Sequence, residues 1–102
     1  MENCKDMTAI FCASDLMAIG VIKALNSKNI RVPEDVSVIG FDDIPAAKYI
    51  HGGLTTIAQS PYEIGHTGGE VLYHMIREDK EYDHIYVDYK FVKRATETSP
   101  GN

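Results

Sequence analysis

The sequence predicts an α/β fold with parallel strands, and three observations carry that reading. Two apolar runs, residues 8–12 and 36–41, lack the polar alternation of a strand with one wet face. A proline-free, helix-forming segment separates them, and a capping box at Ser60-Pro61-Tyr62-Glu63 opens a second helix. Strand, helix, strand with both strands apolar throughout is the pattern of a parallel βαβ unit, whose crossover is right-handed as a rule.

Thr8 to Cys12 reads as a buried strand ending at Ala13-Ser14-Asp15, where Ser14 or Asp15 offers an N-cap oxygen to an otherwise orphan backbone N–H. The helix that follows runs from Leu16 to about Lys28 and stops in the polar stretch Asn26-Ser27-Lys28-Asn29. Its apolar residues Leu16, Met17, Ile19, Val21, Ile22 and Leu25 fall on more than one side of the helix. A helix lying on a sheet with one face in water shows a single apolar stripe, so something must cover the second side. A loop through Val32-Pro33-Glu34-Asp35 feeds the strand Val36 to Phe41, followed at once by Asp42-Asp43. Ile44 to Ile50 predicts a short helix, His51-Gly52-Gly53 a turn, and Leu54 to Ile57 a brief third strand. From Pro61 the second helix extends to about Arg77, with Ile64, Val71, Leu72, Met75 and Ile76 on its apolar side. Gly65, Gly68 and Gly69 lie inside it at a cost of roughly 0.8–1 kcal/mol each relative to alanine, which points to close backbone packing or a bend. Beyond the charged connection Glu78 to Asp83, His84 to Val92 alternates, with Ile85, Val87, Tyr89 and Phe91 on one side, and predicts a half-buried strand at or near a sheet edge.

A chain of 102 residues leaves room for one ordinary domain. The net charge of −5 argues against a surface that grips nucleic acid or anionic lipid, because such binding neutralises phosphates with Lys and Arg, and the only adjacent basic pair is Lys93-Arg94. Cys4 and Cys12 have neither redox nor zinc spacing and read as reduced thiols. The start of the chain has no apolar segment of signal-peptide type, and no apolar run approaches the roughly 18 residues of a membrane span, so a cytoplasmic location is expected.

Candidate chemistry is sparse. Asp42-Asp43 follows the second apolar strand, at the carboxyl end where open α/β sheets place their ligand crevice. One carboxylate there can bind a ligand hydroxyl, or one can cap the short following helix. A hard metal ion would need more oxygen ligands, and Asp15 is the only evident further donor, which leaves a small metal-assisted enzyme as a thin alternative. His51, His66, His74 and His84 form no chelating pair, and Ser60 is a cap without nucleophile context. No catalytic residue, metal or cofactor is expected.

Three segments together are more specific than any one of them. Phe11 to Gly20, Arg31 to Asp43 (which reads Arg-Val-Pro-Glu-Asp-Val-Ser-Val-Ile-Gly-Phe-Asp-Asp) and Leu54 to Gln59 closely resemble the effector-binding domain of the LacI/GalR family of bacterial transcription regulators. The last strand with Lys93-Arg94-Ala95-Thr96 is similar to that family's C-terminal strand, and the resemblance runs from about Thr8 to Ser99 in unbroken order. It implies a periplasmic-binding-protein-like architecture of type I, a partial doubly wound, mostly parallel sheet corresponding to the C-terminal subdomain. About residues 8–59 and 84–96 would belong to that subdomain and the helix at about 60–80 to the N-terminal one. DNA would be contacted only through an N-terminal helix-turn-helix module that has no counterpart before Thr8, so the chain resembles the last third of such a regulator.

The resemblance also implies roles. Asp42 matches the aspartate that bonds a small effector, expected to be a sugar or sugar derivative; Ser14 matches a position often held by asparagine in sugar binders, and Gln59 a cleft residue where the chain crosses between subdomains. Ile19 and Ile22 on the first helix, with Lys48, Tyr49 and Ile50, match the family's dimer interface, which would account for the two-sided helix. A homodimer or higher oligomer is expected, the more so because the strand Thr8 to Cys12 would lack its neighbour and leave an edge bare. The alternative is part of an extracytoplasmic sugar-binding receptor of the same fold.

Overall fold

The structure, a computed structural model, describes residues 6–79, 81 and 84–100; Cys4 and part of the expected charged connection lie outside the described residues. In chain order it contains β1 (Ala9–Phe11), α1 (Asp15–Ser27), β2 (Ser37–Ile39), a 3₁₀ segment (Pro45–Gly52), β3 (Thr56–Gln59), α2 (Pro61–Glu78) and β4 (Tyr89–Val92). Two compact units divide the chain: one is Met1–Ala58 with Phe91–Asn102, the other Gln59–Lys90.

In the first unit β1 and β2 pair in parallel, with Ile10 opposite Val38. The chain beyond β2 pairs in parallel again, through bridges at Ile39 with Thr55 and Asp42 with Ala58. The N–H groups of Gly40 and Asp42 donate to the carbonyls of Thr55 and Ile57 at 2.9 and 2.8 Å. The βαβ pairing is as expected, but β1 is not the buried strand its apolar run predicts: Ala9 and Phe11 are exposed, Phe11 by 61%, because no element of the described chain covers its outer side. The third strand begins about two residues later than its apolar run. Thr96, fully buried, ties the C-terminal segment to the sheet: its hydroxyl donates to the Val38 carbonyl at 2.7 Å and accepts from Thr55 N–H at 2.9 Å. Buried polar groups are tolerated only when partnered in this way.

The start of α1 follows from its sequence. Ser14 is extended and its Oγ accepts from Met17 N–H at 3.1 Å. At the other end Asn29 turns left-handed (φ 61°), a conformation its short polar side chain tolerates, and the helix stops. Ala18, Ile22 and Leu25, spaced four and three residues apart, face the core with Cys12, Val32, Val36, Val38, Ala47 and Leu54. On the other side Leu16 is 70% exposed, so the helix has two apolar faces and only one is covered.

The short helix expected at Ile44 to Ile50 is present in 3₁₀ form, Pro45–Gly52, interrupted where Ile50 becomes extended (ψ 118°) and His51 left-handed (φ 50°). Two further expectations change. The last strand contracts from His84–Val92 to Tyr89–Val92 and is mostly exposed, Tyr89 by 71%, because β4 has β3 as its hydrogen-bonded neighbour and no layer of the described chain packs over it. The second unit holds α2, capped as expected by Ser60 Oγ accepting from Glu63 N–H at 3.2 Å. None of its residues is buried, including the expected apolar side Ile64, Leu72, Met75 and Ile76.

Candidate functional site

Three aspartates gather at the carboxyl end of the parallel strands, and the structure gives them different tasks. Asp15, the first residue of α1, is fully buried. Its Oδ1 accepts from the Thr56 hydroxyl at 2.6 Å and its Oδ2 from Ile44 N–H at 2.7 Å, while its own N–H donates to the Phe41 carbonyl at 2.9 Å. A carboxylate out of water needs such partners, since an unpaired one costs several kcal/mol. Gly40 is required beside it, because a Cβ there would collide with Asp15 Oδ1. Asp43 is half-buried and pairs with Arg94, Oδ1 to Nη2 at 2.9 Å. Asp42 is exposed; its N–H donates to Ile57, and among the described residues its carboxylate has no hydrogen bond or ion pair.

Both residues of this turn have positive φ, 113° at Asp42 and 60° at Asp43. Such conformations cost a non-glycine residue roughly 1–3 kcal/mol and persist only where surrounding contacts impose them. Here the imposing contacts are the Asp15 bond to Ile44 on one side and the Arg94 pair on Asp43. The strain leaves one carboxylate free at the strand end, able to accept two or more hydrogen bonds from a polar ligand.

This sorting weakens the metal-assisted alternative: both oxygens of Asp15 and Oδ1 of Asp43 are engaged, and among the described residues no group of three or more His, Cys, Asp or Glu is placed to hold an ion. Burial pushes the Cys12 thiol above its ordinary range, so it stays protonated in the core.

Of the other expected site residues, Ser14 is half-buried at the same strand end as Asp42; its Oγ is the cap acceptor, so its hydroxyl hydrogen is left for a ligand. Gln59 closes β3 and belongs to the second unit. Lys48 and Tyr49 are exposed, Tyr49 by 84%, and Ile19 and Ile50 are half-buried. Ile22 is a correction: at 4% exposure it sits in the chain's own core, four residues from Ala18 on the inner stripe, and Leu16 and Met17 form the outer face instead. Sequence reasoning missed the positioning of Asp15 and Arg94. Only the isolated basic pair Lys93-Arg94 hinted at the latter.

Asp42 lines neither of two depressions. One of about 290 Å³ is lined by Thr8, Glu34, Asp35, Ser37, Thr98 and Ser99, among others. The other, about 230 Å³, lies in the second unit between Ile64, Val71, Ile85 and Val87.

Comparison with known proteins gives the family. The periplasmic binding protein-like domain family matches residues 2–96. The chain is 40% identical over 94 residues to the HTH-type transcriptional regulator MalR of Clostridium butyricum, covering 92% of this chain and 28% of that protein. Among solved structures it is similar to a dimeric Lac repressor with an 11-residue C-terminal deletion, with a TM-score of 0.81 and 31% identity over 92% of this chain and 35% of that one. It is similar also to a LacI family transcriptional regulator from Enterococcus faecium with bound ribose, with a TM-score of 0.75 and 35% identity over 88% and 34%. The chain thus spans about a quarter to a third of the proteins it matches. The α/β fold, the family match over nearly the whole chain and the regulators it resembles lead to one assignment: the chain belongs to the periplasmic-binding-protein-like domain family, in its LacI-type regulator branch.

Proposed function

We propose that the chain acts as part of the effector-binding domain of a bacterial, cytoplasmic LacI-type transcription regulator, where it contributes to binding a sugar or sugar derivative and to homodimerisation. The observation that carries this reading is the free, exposed carboxylate of Asp42, held at positive φ at the end of a parallel strand with Ser14 nearby. The ribose bound to the Enterococcus faecium relative supports the ligand class. No covalent step is involved: the effector acts by binding two arrangements of the protein with different affinity. DNA contact belongs to other parts of such a regulator, in keeping with the acidic balance of −5. The receptor alternative loses ground because the relatives above are regulators.

Within this reading Gln59 is a cleft residue, and Ile19, Lys48, Tyr49 and Ile50 join Leu16 and Met17 at the dimer interface. The unit Gln59–Lys90, with α2 wholly unburied, supports assigning that helix to a second subdomain; residues 84–90 then go with it. Titration with D-ribose followed by calorimetry tests the site. Binding that Asp42→Asn weakens at least roughly tenfold, without loss of folding, is the expected result. Equal affinity in the variant would overturn the assignment of Asp42.

A further inference from the structure

We infer that Arg94 is a positioning residue for the ligand-binding turn, acting through Asp43 to fix the carboxylate of Asp42. This rests on reading Asp42 as the effector-binding group. Arg94 is held by three polar contacts of its own and by one from its neighbour. Its N–H donates to Thr55 Oγ1 at 2.8 Å, its Nη1 to the Leu54 carbonyl at 2.9 Å, and its Nη2 meets Asp43 Oδ1 at 2.9 Å. The next residue, Ala95, donates its N–H to the Gly53 carbonyl at 2.8 Å. The arginine stem lies against Gly53, where a Cβ would come within 3.1 Å of both its Cβ and Cδ; Gly53 itself has φ +116°. Glycine is thus the residue that lets the guanidinium reach the turn. The side chains of Arg94 and Asp43 are 17% and 25% exposed, so the pair is shielded well beyond an ordinary surface ion pair.

The consequence is local. Asp43 at φ 60° takes the left-handed form that a short polar side chain tolerates, but it follows Asp42 at φ 113°, which an aspartate does not keep without restraint. The planar fork of Arg94 bridges the β3 start and the turn in one rigid group, which a lysine's single ammonium cannot do. Loss of the Arg94 contact would free Asp43 and with it the turn that aims Asp42.

Amide hydrogen exchange followed by NMR on the full chain tests this. The reporter is Asp42 N–H, which donates to Ile57; the control is Cys12 N–H, which donates to Ile39. Asp43→Asn and Arg94→Gln are each expected to speed exchange at Asp42 by roughly tenfold or more and to leave Cys12 within about twofold, and the double variant to go no further than the stronger single one. Unchanged exchange at Asp42 in Asp43→Asn, a parallel rise at Cys12, or additive effects in the double variant would each overturn the inference. D-ribose titration of Asp42→Asn separates the two readings: unaltered ribose affinity there sinks the role of Asp42 as ligand, whereas the exchange result decides the latch whether or not ribose binds.

Discussion

Asp15 shows how one side chain organises the strand end. Its two oxygens satisfy Thr56 and Ile44, which belong to β3 and to the turn leaving Asp43. Asp15→Ala would leave a buried hydroxyl and a buried N–H unpaired and is expected to cost about 3–5 kcal/mol in urea unfolding. Asp15→Asn is expected to cost less, since an amide oxygen still accepts from Ile44 and the Thr56 hydroxyl can turn to accept from the amide. Equal losses for the two variants would show that the site depends on the charge itself. Asp35 is the contrasting, exposed case. Its side-chain hydrogen bond with Arg31, then the Arg31 backbone N–H, hold its carboxyl below the ordinary carboxylate range. A depressed folded value means that this contribution is present above the unfolded value of about 3.9 and is lost as the pH falls through the folded one. NMR titration of the Asp35 side-chain carbon should give a midpoint below that of Arg31→Met, and equal midpoints would count against the contact.

At the scale of elements, what was legible in the sequence is what local chemistry decides. Ser14 and Ser60 announced both helix starts because a cap needs only residues three apart, and Asn29 marked a stop for the same reason. The parallel strands were legible from unbroken apolar runs. Burial was not, because it depends on what packs above: β1 is exposed at Ala9 and Phe11, and the apolar side of α2, although Ile64 and Val71 line a depression with Ile85 and Val87, holds no buried residue. Of the site, Asp42 was legible from its place after an apolar strand. Asp15 was visible only as a cap or a further metal donor, and Arg94 only as half of an isolated basic pair, since their partners Thr56 and Leu54 lie 41 and 40 residues away along the chain. The glycines of α2 follow from the same point. A Cβ at Gly65, Gly68 or Gly69 would meet nothing within 4 Å. Each Gly→Ala change is therefore expected to stabilise α2 by about 0.8–1 kcal/mol, read as increased helicity by circular dichroism. A loss of helicity would mean that another backbone approaches that face in solution.

For the whole molecule the uncovered surfaces decide its state in solution. On the first unit Leu16, Met17 and Tyr49 are all more than half exposed, and Phe11 on the outer strand is 61% exposed. The β1 edge adds unpaired backbone groups, since β1 pairs only with β2 among the described strands. Large apolar side chains and a bare edge on a small unit favour self-association. A net charge of −5 on each copy opposes it weakly at physiological salt. Burial is expected to win, because removing a side chain such as Leu or Met from water contributes roughly 1.5–3 kcal/mol and a two-fold contact counts each one twice. The chain should therefore sediment as a dimer or larger species at roughly tens of micromolar. Met17→Asp together with Tyr49→Asp should return it to a monomer with an unchanged far-ultraviolet spectrum, whereas charges on α2, such as Leu72→Asp, should leave the dimer intact. A wild-type monomer would overturn the prediction outright. A dimer broken only by Leu72→Asp would move the contact from the first unit to the second.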